Sequence, residues 1–152
     1  MGLTMKKKSD IRTSSINQMT GWLTKNIPDL IIKSDWTHQD FDIEGEVNGN
    51  GIKSFYMVEV KEGWVGTWPT QWTELRIPYK NKKVLDVWQQ KYKNELLTFI
   101  IFSKDLKKAW HVPADIILNA EAKQIHDTNK LFFRIDVRDI YQTDMTYDNS
   151  SS

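Results

Sequence analysis

The chain of 152 residues contains no cysteine. That excludes a disulfide framework, a thiolate metal site and a cysteine nucleophile. Histidine is scarce too: His38, His111 and His126 are the three present, and none pair at the spacing of a zinc site. No apolar run approaches the length of a membrane span. The opening "MGLTMKKKSD" is charged with no apolar segment behind it, and Lys6 stands where a myristoylation signal wants Ser or Thr. An intracellular, soluble protein with no membrane partner is therefore expected. The length suits one domain with a real core.

The net charge of +1 is also low, but its distribution is uneven. Between residues 35 and 62 seven acids face two lysines, whereas between 76 and 108 nine bases face three acids. Solvated faces account for such a pattern. A divalent cation held beside a polyanion would account for it as well.

Periodicity predicts a helix over 15–26, where Ser15 and Gln18 form a capping box and Ile16, Met19 and Leu23 repeat at helical spacing. Pro28 ends it. "DLIIKSDW" reads as a short strand, and "FDIEGEVNGNGIKSFYMVEVKEG" (41–63) as a hairpin. A second helix opens at Pro78 or Tyr79 and runs to about Lys93, with Val84, Leu85, Trp88 and Tyr92 as its apolar stripe. "LLTFIIF" (96–102) reads as a strand buried on both faces. "KDLKK" is a turn, "AWHV" a returning strand, Pro113 the start of a third helix with Ile116, Ile117, Ala120 and Ile125 inward, and "LFFRIDV" a last strand. The expected fold is α/β (α+β), a single mixed sheet with core order helix-strand-strand-strand-helix-strand and a C-terminal strand-helix-strand extension. One domain is expected over 12–144, with a loose segment over 1–11 and a disordered tail over 145–152.

The hairpin raises a chemical question. If Gly49-Asn50 is the two-residue turn, facing residue numbers sum to 99. Phe41, Ile43, Val58 and Val60 then share one face, and Asp40, Asp42, Met57, Glu59 and Lys61 share the other. Facing carboxylates repel, and a hard divalent cation removes the conflict. Magnesium takes one or two carboxylates plus waters and phosphate oxygens. Asp42 and Glu59 can supply those ligands, and Lys61 can reach a water or a phosphate oxygen.

At these residues the sequence resembles the PD-(D/E)xK, or restriction-endonuclease-like, nuclease superfamily. The resemblance covers roughly residues 14–112, with Asp42 as the first acid and Glu59-Val60-Lys61 as the acid-x-lysine motif. It implies a magnesium-dependent endonuclease (manganese as a substitute) that hydrolyses phosphodiester bonds in DNA, of homing, restriction or junction-resolving type. It also implies that the backbone carbonyl of Val60 ligates the metal. The motif recurs at Asp105-Lys107 and Glu121-Lys123, expected in a turn and on a helix, so the strand context of Glu59-Lys61 carries the assignment. Many relatives carry a glutamate in the first helix. The stretch 15–26 has no acid, which argues against a second metal and leaves Gln18 or Asn17 to offer a neutral oxygen. Asp40 competes with Asp42 for the first-acid role, since a bulge would change which of them lies nearest the metal. Pro28-Asp29 competes less, lying at the start of the first strand. A second strand cut requires a homodimer or higher homo-oligomer.

Further residues follow from this reading. Glu44 continues the acidic face into solvent, within reach of the metal's waters. Gln71 is an accessory candidate at the scissile phosphate, and Arg76, Lys80, Lys82 and Lys83 are DNA-binding candidates, Lys82 and Lys83 because cations at a helix start are otherwise unfavourable. Trp64, Trp68 and Trp72 recur every four residues and suit packing over the sheet edge, stacking on bases or a subunit contact. Trp22, Trp88 and Trp110 read as core, and His111 as structural.

Overall fold

The computed structural model describes residues 2–33, 40–47, 51–124 and 130–146, with side chains described from residue 11 and not at 123 and 124. His38, His126, the Gly49-Asn50 turn, Ile125 and the tail from residue 147 lie outside them.

Helix α1 spans Gly2–Asn26 and β1 spans Leu30–Ile32. The hairpin is β2, Ile43–Val47, and β3, Lys53–Lys61. Next come β4, Glu74–Pro78, a 3-10 turn over Tyr79–Asn81, and α2, Lys82–Lys91. The chain continues through β5, Leu96–Ser103, β6, Lys108–Pro113, and α3, Ala114–Leu118. It closes with β7, Ala122–Gln124, β8, Leu131–Asp136, and β9, Tyr141–Asp144.

The main sheet is mixed, with order β1-β2-β3-β5-β6-β9, and the order helix, three strands, helix, strand is present. Its β3–β5 pair is parallel, as the crossover through β4 and α2 requires. β5 is buried almost throughout from Phe99 to Ser103, which is why it reads as an unbroken apolar run. Where a single sheet was expected, there is a second one of three strands, β4-β8-β7. The "LFFRIDV" strand pairs with β4 there and does not extend the main sheet. β9 takes the edge of the main sheet beside β6 instead.

Two cores flank the main sheet. On one face Ile16, Met19 and Leu23 of α1 pack on Ile43, Val58, Ile100 and Phe102. On the other, an aromatic core joins Phe55 and Phe99 to Leu85 and Trp88 of α2 and to Leu75, Ile77, Phe133 and Ile135 of the second sheet. A Cβ at Gly45 of β2 would stand 2.9 Å from Cδ1 of Leu30, so the leucine would have to shift to admit one.

The helix expected over 15–26 begins at Gly2 and so includes an acid, Asp10, whose side chain lies outside the described residues. Ser15 is consequently interior and buried, and its hydroxyl donates to the Arg12 carbonyl (2.9 Å), so no capping box forms. Gln18 and Trp22 tie α1 to the end of β9, donating to the Met145 (2.7 Å) and Asp144 (3.1 Å) carbonyls. Met145, assigned to the tail by sequence, is buried in the α1 core. The second helix begins three residues later than expected, because Tyr79–Asn81 first make a 3-10 turn. Glu121-Lys123 leads into β7 and does not lie on a helix, whereas Asp105 sits in the β5–β6 turn and accepts the Ser103 hydroxyl (2.6 Å).

Candidate active site

The β2–β3 register is the expected one: Ile43 faces Tyr56, Glu44 faces Phe55, and Glu46 faces Lys53. Regular pairing stops at Ile43. The Asp42 N–H also reaches the Tyr56 carbonyl (3.1 Å), one residue out of step, which is the local geometry of a β-bulge. Two expectations change as a result. Phe41 passes to the opposite face from Ile43 and stacks on Phe55, with ring centroids 4.3 Å apart. Asp42 no longer faces Met57, and its Oδ2 accepts the Val58 N–H (2.8 Å), so the side chain closes the end of the ladder.

Asp42 is thereby held rigidly, with its side chain 4% exposed. Its Oδ1 accepts Nη2 of Arg12, whose side chain is 60% exposed. Glu59 stands near the end of β3, and its carboxyl is raised above the usual 4.5, chiefly by burial. Four neighbours act on it as well: the Asn81 amide donates to it, the cations Lys80 and Arg12 favour its charged form, and Asp42 opposes it. The two carboxylates and Arg12 therefore occupy one neighbourhood. Two residues on, Lys61 is half-buried, and its amine is lowered from 10.5, first by burial and then by the charge of Arg76. Its Nζ lies 5.8 Å from the centre of the Trp72 ring. Val60, between them, points its side chain into the α1 core.

The other candidates are distributed more widely. Asp40 accepts the Tyr92 hydroxyl at 3.4 Å, so the bulge leaves Asp42 as the aspartate acting on Glu59. Glu44 was expected in solvent. It is buried, and Lys33 (3.0 Å) and Lys53 (3.6 Å) neutralise it. Gln18 spends its amide N–H on Met145. Gln71 and Arg76 line a cavity beside Lys61, and Arg76 donates to Glu74 (3.0 Å). Lys80 lies near Glu59, whereas Lys82 pairs with Asp86 at 2.9 Å, a local reason for a cation at that helix start. Lys83 is exposed on α2. Of the three spaced tryptophans, Trp64 and Trp68 are core, and Trp72 is half-buried. His111 is buried and bonded to Thr143 Oγ1 (2.7 Å), a structural role.

Sequence reading missed two residues. Arg12 lies four residues before Ile16, so the stripe Ile16, Met19, Leu23 runs back through it. Had α1 been extended by a turn, that spacing would have placed a cation at the sheet end. Asn81 takes the N-cap position of α2 yet makes no cap bond; its amide reaches the Pro78 carbonyl (3.2 Å) and Glu59.

The donor set suits one hard cation. Asp42 and Glu59 are two oxygen donors with limited access to water, and a guanidinium already stands against one of them as a cation would. Among the described residues there is no group of three or more acidic, histidine or cysteine side chains placed to hold a metal. None of the described helices is long and apolar enough to cross a membrane.

No family model and no curated protein matches the chain. Among solved structures it is similar to Hjc, a Holliday junction resolvase from the archaeal hyperthermophile Archaeoglobus fulgidus. The identity is 11%, the match covers 81% of this chain and 84% of that one, and the TM-score is 0.48. At that identity and TM-score the likeness carries no functional weight.

Proposed function

We propose that this chain is a magnesium-dependent DNA endonuclease of the PD-(D/E)xK type. The observation that carries the reading is that Asp42 and Glu59 act on one another at the end of β2 and β3, with Lys61 two residues on in β3 and the exposed Arg12 paired with the aspartate. A buried acid beside a half-buried one costs stability unless a cation joins them.

Asp42, Glu59 and the Val60 carbonyl would hold the ion, which when bound acidifies water and polarises a phosphoryl oxygen. Asp42 is positioned by the Val58 N–H and Glu59 by Asn81, and displacement of Arg12 would free the Asp42 Oδ1 for the ion. Lys61 orients the attacking water. Its lowered pKa raises the share of neutral amine able to accept a proton from that water, and in its charged form it offsets charge growing on the phosphate. Arg76 and Lys80 supply positive potential on the same side, where a polyanion would lie. Homing, restriction-type and junction-resolving enzymes all fit this chemistry, and cutting both strands calls for a homodimer or higher homo-oligomer.

Nicking of plasmid DNA in magnesium tests the reading, with Glu59→Ala and Lys61→Ala as controls. Cleavage is expected in the wild type and absent from both variants. Cleavage unchanged by both substitutions removes the site. DNA binding without cleavage in the wild type makes the chain a nucleic-acid-binding module on the same fold.

A further inference from the structure

Beside Lys61 the surface opens into a cavity of about 400 Å³ whose other walls are Gln71, Trp72, Thr73, Glu74 and Arg76. Phosphodiester hydrolysis at Asp42 and Glu59 does not require it. Its size falls within the usual range of small-molecule sites.

The walls are chemically unlike one another. One is the half-buried indole of Trp72. Trp68 meets it edge-on, with ring centroids 5.1 Å apart and planes at 83°, and donates its own indole N–H to the Trp72 carbonyl at 2.7 Å. Trp68 is core, so Trp72 is a braced plate and not a loose surface ring. Another wall is Glu74, whose carboxylate is gripped by Arg134 (Nη2 2.7 Å, Nε 3.0 Å) and by Nε of Arg76 (3.0 Å). Its charge is compensated, and its oxygens are fixed acceptors. Gln71 and Thr73 add neutral donors and acceptors, and Lys61 and Arg76 bring positive charge.

A flat aromatic wall flanked by neutral hydrogen-bonding groups suits a flat heteroaromatic ring, and the two cations suit the phosphates attached to such a ring. In an intact duplex the bases are stacked and paired, so none could enter; an unstacked one could. We propose that the cavity receives one unstacked nucleobase next to the scissile phosphate, stacked on Trp72. The substrate class is then DNA with an unpaired or locally opened nucleotide. The position of the scissile phosphate rests on the function proposed above.

Binding in a chelating buffer, where no cleavage enters, tests the cavity alone. The probes are a short duplex and the same duplex carrying one unpaired fluorescent purine analogue. The wild type is expected to bind the second about tenfold more tightly, the share of one base stacked on one indole, and to quench the analogue. Trp72→Ala should abolish both effects and leave duplex affinity unchanged. Gln71→Ala, at an exposed position, should lower the preference about threefold while preserving the quenching. Equal affinity for the two probes overturns the proposal, as does preference or quenching that survives Trp72→Ala. Loss of hydrolysis in Glu59→Ala leaves these readouts in place, so the two readings fail separately.

Discussion

The β2–β3 hairpin buries acids at two places and treats them differently. Glu44, 7% exposed, is bracketed by Lys33, just after β1, and by Lys53 of β3. The Asp42 side chain, 4% exposed, has the Val58 N–H behind it and a largely solvated arginine in front, with a half-buried second acid, Glu59, nearby. Two lysines, both partly exposed, neutralise Glu44. Asp42 and Glu59 instead oppose one another's charge, and an ion could join them. Burial of charge alone therefore does not mark a site; two acids acting on one another do.

The largest expected effect separates the two acids directly. Asp42→Asn should reduce magnesium-dependent nicking by on the order of a thousandfold, whereas Glu44→Gln leaves the rate within about threefold of wild type. Glu44→Gln should instead cost about 1 kcal/mol in urea unfolding, since its two lysines are partly exposed and lose little. Comparable rate losses for the two substitutions would erase the distinction.

Arg12 provides a sharper test. If it stands where a cation would, Arg12→Ala removes a competitor and should tighten magnesium binding about threefold by titration calorimetry, in line with a partly exposed ion pair. Unchanged metal affinity with weaker DNA binding would reassign Arg12 to the phosphate backbone.

The smallest effects are on stability against pH, and they carry opposite signs. Glu59 has its proton affinity raised by burial, so the folded state binds the proton more tightly than the unfolded chain. Its burial penalty is full at neutral pH and disappears as pH falls through the raised value toward 4.5. Glu59→Gln should therefore raise Tm at neutral pH by on the order of 2 °C while abolishing cleavage. His111 behaves in reverse: burial lowers it to about 4 from 6.5, so its contribution is present above 6.5 and is lost as pH falls from there toward 4. His111→Gln, which does not titrate in this window, should flatten the loss of stability on that acid limb, measured as Tm against pH.

Much of the site was legible because the hairpin is locally encoded. The strand alternation fixed which residues of β2 and β3 face one another, and the observed pairs match. The step at Asp42 was not legible, because a bulge depends on which N–H groups the end of β3 offers. That step sent Phe41 to the aromatic core and Asp40 to Tyr92. β4, β7 and β9 were missed for another reason: they are three to five residues long and largely polar or only partly buried, so their alternation is too brief to read. Their pairing is long-range, as with Glu74 opposite Asp136.

By itself the sequence determined the local order: an amphipathic helix, a hairpin in one register, a doubly buried strand, and an acid-x-lysine at the end of that hairpin. These follow from periodicity and turn chemistry, which act between near neighbours. Tertiary structure alone decided that Arg12 reaches Asp42, that Asn81 supports Glu59, and that Trp72 and Glu74 enclose a cavity beside Lys61. The first two join residues far apart in the chain, which only packing brings together, and the cavity depends on Arg134 of the second sheet holding Glu74 in place.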